Sequence, residues 1–107
     1  MQSRSGLDIQ DVSVGTGDVV ERGSRVSIAR RGWLNRGDEF GSGAVSFRVG
    51  RREAIAGLDY GVVGMRAGGV RRLRVSPHLA YGDQGVPSVP ARAVLDIEVT
   101  VVAVEPC

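Results

Sequence analysis

The run A-V-L-D-I-E-V-T-V-V-A-V at residues 93–104 decides the fold of this chain. Apolar side chains occupy every second position of the run, at Leu95, Ile97, Val99, Val101 and Ala103. Polar side chains stand between them at Asp96, Glu98 and Thr100. A period of two predicts a β-strand, and one apolar face opposite one polar face is typical of an antiparallel sheet with one side in water.

The stretch at residues 51–65 is the part of the chain with convincing helical periodicity. Its apolar side chains recur every three or four residues, at Ala54, Ile55, Leu58, Val62 and Met65. Gly57, Gly61 and Gly64 interrupt the pattern, and each glycine costs about 1 kcal/mol of helix stability relative to alanine. We therefore expect a short helix that is held by packing, with its apolar stripe against the dry side of the sheet.

Further alternating segments predict the remaining strands. They are Leu7-x-Ile9 with Val12-x-Val14, then Val26-x-Ile28, Val45-x-Phe47-x-Val49 and Val70–Val75. Residues 10–11 break the first alternation and predict a bulge, whereas Gly41-Ser42-Gly43 predicts a flexible link. The interpretation is an α+β fold, in which a five- or six-stranded curved antiparallel β-sheet, a half-barrel, wraps around one short α-helix. Residues 1–107 are expected to form a single domain, with residues 1–6 as a flexible tail.

Composition and charge limit the possible functions. Apolar residues make up 42% of the chain and charged residues 24%, the balance of a soluble globular protein. All 14 basic residues are arginine, but the net charge is only +2, so solvated strand faces are favoured over a nucleic-acid surface. One histidine, His78, and one cysteine, Cys107, predict neither a metal site nor an intramolecular disulfide. No apolar run approaches the ~18 residues of a membrane span, and no signal-peptide pattern is present, so we expect a cytoplasmic protein.

The segment S-P-H-L-A-Y-G-D-Q-G-V-P-S-V-P at residues 76–90 is too long for a simple hairpin turn. Loops of this length in a compact domain are usually functional or disordered. A lone tyrosine, Tyr81, stands among proline, glycine and apolar residues. This composition predicts an ordered loop that presents the tyrosine hydroxyl to a pocket.

Four motifs follow one another along the chain. G-x-L-x-x-G-x-x-F spans residues 32–40, and V-G-x-x-E-x-I-x-G spans residues 49–57. G-M-x-x-G follows at residues 64–68, and L-x-V-S-P-x-L-A-Y-G-x-x-G-V-P at residues 73–87. In these motifs and their order, the chain resembles the FKBP family, the macrolide-binding peptidyl-prolyl cis-trans isomerases. The resemblance extends over essentially the whole chain.

The resemblance implies an apolar pocket between helix and sheet that holds a prolyl ring. It implies that Phe40 forms an aromatic wall, that Ile55 lines the base, and that Tyr81 directs its hydroxyl at a substrate or ligand carbonyl. The other pocket residues carried over from the family, or closing the pocket from the loop, are Ala54, Leu58, Phe47, Val45, Val86, Val89, Ile97, Arg30 and Gly41. Isomerisation of an X-Pro bond crosses a barrier of ~18–20 kcal/mol by twisting the amide, which needs no nucleophile, general base or cofactor.

Several of these positions depart from the family pattern. Leu58 stands where tryptophan is common, Gly41 stands where aspartate follows the pocket phenylalanine, and Arg30 and Val45 replace strand aromatics. Aromatic contacts contribute more binding free energy than their buried area alone provides. Their loss therefore leads us to expect weak affinity for macrolides such as tacrolimus or rapamycin and reduced isomerase turnover. Arg30 is either a cation at the pocket mouth that selects acidic peptides or a solvent-facing strand residue.

Two functions therefore stay open. The first is an active prolyl isomerase that assists folding by acting on proline-containing peptides or unfolded proteins, which Phe40, Ile55 and Tyr81 favour. The second is a non-catalytic module that recognises a peptide or protein partner with the same pocket, which Gly41, Leu58 and Arg30 favour. In both cases we expect a monomer that binds neither nucleic acid nor membrane.

Overall fold

Six β-strands form one antiparallel sheet in the computed structural model, which describes residues 2–4, 6–34, 39–79 and 93–105, without the side chains of residues 2–4 and 40. The strands are β1 (Gln2–Arg4), β2 (Leu7–Ser13), β3 (Arg25–Leu34), β4 (Glu39–Arg48), β5 (Val70–Val75) and β6 (Leu95–Glu105). Their order across the sheet is β1-β2-β5-β6-β3-β4. One α-helix, α1 (Ala56–Gly61), packs on the inner face, which confirms the predicted α+β class.

Strand β6 lies near the middle of the sheet, between β5 and β3. The predicted alternation holds from Leu95 to Val101, whose inward side chains are all buried. It is wrong at Ala103, which is exposed. The register against β3 shifts by one residue at this point, because Ile28 pairs with Val101 and Ser27 pairs with Ala103. This bulge reverses the alternation of the strand, so Val104 packs against the core instead.

Three other expectations change in the structure. Gln2–Arg4 form β1, paired with β2, so this part of residues 1–6 is a strand and not a tail. Residues 41–43 are not a flexible link, because they pair with residues 30–32 inside the continuous strand β4. The bulge of β2 lies between Asp11 and Ser13, slightly later than the predicted 10–11. In each case pairing with a neighbouring strand decides the conformation, and local composition does not reveal that partner.

The helix α1 is much shorter than the predicted stretch at residues 51–65. Residues before it form a turn in which Arg52 has a φ of 58°, and the Glu53 carboxylate accepts a hydrogen bond from the Arg48 N–H at 3.1 Å. Ile55 is the N-cap, with an extended ψ of 150°. The predicted apolar stripe nevertheless packs on the sheet. Leu58, Val62 and Met65 are buried in the core, and Ala54 and Ile55 lie at its margin.

Two glycines bring α1 into direct contact with β5. A Cβ atom added to Gly57 would lie 2.5 Å from Val75 Cγ1, and one added to Gly61 would lie 2.6 Å from Leu73 Cδ1. Both distances are shorter than side-chain carbons tolerate, so the helix can approach the sheet this closely only with glycine at both positions. Asp59, one turn into the helix, is buried and accepts a hydrogen bond from the Gly50 N–H at 3.0 Å.

Arg71 of β5 holds the other end of the helix. Its side chain is 6% exposed, and Nη1 donates to the backbone oxygens of Gly61 at 2.9 Å and Val63 at 2.8 Å. Nε of the same guanidinium donates to Asp11 on β2. The last carbonyls of a helix have no partner within the helix, so this arginine satisfies groups that would otherwise be buried unpaired. It also places a positive charge at the negative end of the helix dipole.

We expect Gly57→Ala to destabilise the protein, although alanine is the better helix former. Alanine gains about 1 kcal/mol of helix propensity, but the added methyl group has to displace Val75, and such overpacking costs about 1–3 kcal/mol. Urea unfolding would measure the net loss. Gly41→Ala is the matched control, because a Cβ added there meets no atom within 4 Å. Equal stability of the Gly57→Ala variant and the parent would contradict this account of the packing.

Arg71→Met should lower the free energy of unfolding by about 2–4 kcal/mol, because it leaves the buried Gly61 carbonyl and the partly buried Val63 carbonyl without their hydrogen-bond donor. Arg72→Met is the control in the neighbouring residue. It removes an exposed ion pair in which Arg72 Nε lies 3.2 Å from Glu98 Oε2. Exposed ion pairs contribute about 1 kcal/mol or less to stability. Similar losses in the two variants, measured by denaturant unfolding, would show that Arg71 has no special role.

Candidate functional site

The inner face of three adjacent strands brings five of the predicted site residues together. Residues paired across strands share a face, and the pairs are Val26 with Phe47, Ile28 with Val45, Gly32 with Gly41, and Gly32 with Ile97. Arg30 lies on the same face between Ile28 and Gly32. The set therefore comprises Arg30, Gly41, Val45, Phe47 and Ile97, spread over β3, β4 and β6.

The helix and the turn before it add three more predicted residues to this region. Leu58 is 5% exposed and belongs to the same core cluster as Phe47 and Ile97. Ala54 and Ile55 are partly buried and pack against that cluster, as does Val45. Ile55 is held by the hydrogen bonds that its carbonyl accepts from the N–H groups of Leu58 and Asp59, both at 3.0 Å. The result is an apolar surface at the edge of the core, part of which stays accessible.

Four predicted residues cannot be placed. Tyr81, Val86 and Val89 lie outside the described residues, and for Phe40 only the backbone, within β4, is described. Their roles stay predictions. The two ends of their loop are nevertheless defined, because Leu79 and Ala93 both pack against the core. Leu79 closes a 3-10 turn at Pro77–Leu79 that the sequence did not predict, and its N–H donates to the Ser76 carbonyl at 3.0 Å.

Next to Arg30, no described side chain of β4 other than those of its neighbours in the strand comes near positions 41 and 43. A Cβ added to Gly41 or Gly43 would meet no atom within 4 Å, although both positions face the same side as buried Phe47. Gly43, which pairs with Arg30, was not among the predicted site residues. A signal was available in the sequence, since Gly41 and Gly43 alternate in phase with Val45 and Phe47.

Two other clefts are separate from this region. One of about 720 Å³ lies on the other side of the helix, against Tyr60, Val63 and Arg52, and shares only Ala54 with the predicted site. Another of about 700 Å³ includes Trp33 and shares only Ile97. The guanidinium carbon of Arg31 lies 5.2 Å from the centre of the Trp33 ring.

Three arginines on the strands form ion pairs with acidic side chains of neighbouring strands. On the outer face of the sheet, Arg72 pairs with Glu98 at 3.2 Å and Arg74 pairs with Asp96 at 3.1 Å. Arg31 pairs with Glu39 at 2.6 Å. These cross-strand pairs match the predicted solvated strand faces. Among the residues that the structure describes, no cluster of His, Cys, Asp and Glu side chains could hold a metal ion, and no helix is long and apolar enough to span a membrane.

Comparison with known proteins agrees with the fold and with the motifs. The protein-family model described as FKBP-type peptidyl-prolyl cis-trans isomerase matches residues 17–102. FK506-binding protein 4 of Chaetomium thermophilum is 39% identical over 94% of the chain, and a peptidyl-prolyl cis-trans isomerase of Saccharomyces cerevisiae is 36% identical over 94%. The chain covers 22% and 25% of these two relatives. The crystal structure of AtFKBP13 superposes with a TM-score of 0.87, with 32% identity and 94% of each chain covered.

The chain belongs to the FKBP family. The family model alone matches well over half of its residues, and the likeness to AtFKBP13 extends over nearly the full length of both chains. This confirms the resemblance inferred from the four motifs, and it agrees with the sheet-and-helix architecture. The chain spans only about a quarter of the length of these curated relatives. The activity of the whole relatives is therefore not assigned to this chain by its membership of the family.

Proposed function

We propose that this chain is a peptidyl-prolyl cis-trans isomerase that acts on X-Pro bonds of peptides and unfolded proteins. The observation that carries the proposal is the apolar, partly accessible surface formed by Val45, Ile55 and their buried neighbours in a chain of the FKBP family. A prolyl ring is small and apolar, and concave apolar surfaces are the usual form of small-ligand sites. Weak binding of macrolides such as tacrolimus or rapamycin at the same surface is part of the proposal.

The chemistry required of such a site is modest. The planar X-Pro amide is stabilised by resonance, and the twisted transition state loses that resonance and the polarity that goes with it. A dry surface around Ile55 and Val45 would hold the ring and exclude water from the amide. The less polar, twisted state then loses less solvation than the planar state on entering the site, which lowers the barrier. The hydroxyl of Tyr81 would orient the peptide through a carbonyl group.

The alternative is a binding module that holds a proline-containing segment without accelerating its isomerisation. The replacement of aromatic or acidic groups at Leu58, Gly41 and Val45 supports it, because less of the ring would be enclosed. The two functions differ in one measurable quantity. Both predict binding of a proline peptide, but only the first predicts faster exchange between its cis and trans forms.

Two-dimensional NMR exchange on an Ala-Leu-Pro-type peptide measures this rate directly, and the intact chain should accelerate it. Ile55→Ala and Phe40→Ala should each lower kcat/KM by about tenfold, since truncating a large apolar contact costs more than 1 kcal/mol. Val63→Ala is the matched control. Val63 is 42% exposed and lines the separate cleft on the other side of the helix, so its truncation should leave the rate unchanged.

Bound peptide without accelerated exchange at micromolar protein would exclude the isomerase and support the binding module. Equal losses of rate in Ile55→Ala and Val63→Ala would place the activity away from the proposed surface. Thermal unfolding of each variant separates a loss of rate from a loss of fold.

Tacrolimus should shift the methyl resonances of Ile55 and Val45 in an NMR titration. The methyl groups of Val12 and Val102 serve as internal controls, because they are 53% and 63% exposed and lie outside the proposed surface. Shifts confined to Val12 or Val102 would contradict the assignment of the site. Tacrolimus should also slow the catalysed exchange in proportion to its occupancy of the site.

A further inference from the structure

Two arginines lie in one row of paired residues on the inner face of the sheet. Arg71 of β5 and Arg30 of β3 both pair with Val99 of β6, which runs between these strands. The guanidinium group of Arg71 donates hydrogen bonds to the carboxylate of Asp11 and to two backbone carbonyl groups. Arg30 has no such acceptor. Within the described part of the chain, its side chain makes no hydrogen bond and no ion pair.

Burial separates Arg30 from the other arginines that also have no acceptor. Arg22, Arg25, Arg51 and Arg52 are exposed, so water solvates their guanidinium groups. Arg30 is half-buried and stands between the fully buried Ile28 and buried Gly32. The comparable half-buried Arg48 donates to the Gly23 carbonyl at 2.6 Å. The guanidinium nitrogens of Arg30 are not fully buried, since no buried side-chain nitrogen of the described residues lacks a partner. A guanidinium beside an apolar surface gains more from a carboxylate partner than one that is surrounded by water.

Two glycines leave space beside Arg30 among the residues that the structure describes. Gly43 is its direct partner on β4, and Gly41 lies diagonally across from it on the same face. An added Cβ at either glycine would meet no described atom within 4 Å, and neither glycine has a side chain of its own to cover this part of the inner face. The same face continues to Val45 and Phe47, which belong to the proposed prolyl site. A peptide bound with its proline on that apolar surface would pass next to the guanidinium group.

We propose that Arg30 determines substrate specificity by binding an acidic side chain of the peptide close to the isomerised proline. This inference rests on the proposed function, because it assigns a preference to the same site. In this arrangement the aliphatic part of Arg30 would lie along the apolar face and its charged end would reach the side of Gly43, as long basic side chains commonly do.

Matched peptides that differ only by Glu, Gln or Lys, placed either before or after the proline, test this preference. We expect the parent chain to favour Glu over Gln by about threefold to tenfold in kcat/KM at one of the two positions, and added salt should reduce the ratio. Arg30→Gln should bring the Glu-to-Gln ratio to about one. Arg30→Glu should favour the Lys peptide instead.

Arg25→Gln is the control, because it removes an exposed positive charge from the opposite face of the same strand. It should keep the ratio of the parent chain. An unchanged ratio in Arg30→Gln, or an equal change in Arg25→Gln, would overturn the proposal, because the preference would then come from another group or from net charge.

Gly41→Asp gives a second test that leaves the arginine in place. Diagonal cross-strand neighbours are within reach of long side chains, so an aspartate at position 41 would pair with Arg30 within the chain. The preference for Glu should then disappear, whereas Gly41→Asn should keep it. Persistence of the full Glu preference in Gly41→Asp would contradict a role for Arg30.

The outcomes for the two proposals remain separate. If the parent chain accelerates Gln and Glu peptides equally, the proposed role of Arg30 in specificity is wrong and the proposed isomerase activity is supported. If no peptide is accelerated, the proposed isomerase activity is wrong. The dissociation constants of the same peptides, measured by NMR titration, then still show whether Arg30 prefers an acidic side chain.

Discussion

The close contact between α1 and β5 is the constraint on which the site depends. A helix of six residues is far too short to form by itself, so its position has to come from tertiary contacts. Gly57 and Gly61, four residues apart, remove the side chains that would hold the helix away from Val75 and Leu73. Arg71 then binds the carbonyls at the C-terminal end. Because Ile55 and Leu58 flank Gly57 in sequence, the packing that fixes the helix also fixes the base of the proposed pocket.

Period-two and helical patterns predicted which segments pair and pack, but not where elements end. The alternation of β6 held until Val101 and failed at Ala103, because the bulge arises from the register with β3, which a single strand does not encode. The helix begins at Ala56 instead of residue 51, and the sequence gives no sign of this start because the N-cap, Ile55, is not a residue that typically caps helices. The glycines of the helix weaken it as an isolated element. The spacing of four residues between Gly57 and Gly61 also indicates a face that packs closely against a neighbouring strand.

The site was predicted from the family motifs more than from physical patterns, and the two residues it missed show why. From the small net charge, the arginines as a group are assigned to solvated strand faces, and Arg71 does not belong there. Alternation along β5 places it on the inner face with Leu73 and Val75, so a stricter use of the same pattern would have separated it from its neighbours. Gly43 was assigned to a link because glycine lowers strand propensity. Only pairing with β3 shows that this glycine opens the face beside Arg30.

The departures from the family pattern affect binding and chemistry differently. The prolyl ring is present in both the planar and the twisted state, so aromatic area around the ring stabilises both states to a similar extent. Losing that area at Val45 and Leu58 weakens binding and raises KM, whereas kcat depends on interactions that differ between the two states. Such a site turns over slowly at peptide concentrations below its KM, although its chemistry is intact.

Additional binding energy from a group outside the ring, such as the guanidinium of Arg30, would then restore efficiency only for the peptides that carry its partner. The two proposals therefore describe one arrangement. A less aromatic pocket would lower the general affinity for proline, and the charge of Arg30 beside it would let the sequence around the proline decide which bonds are isomerised.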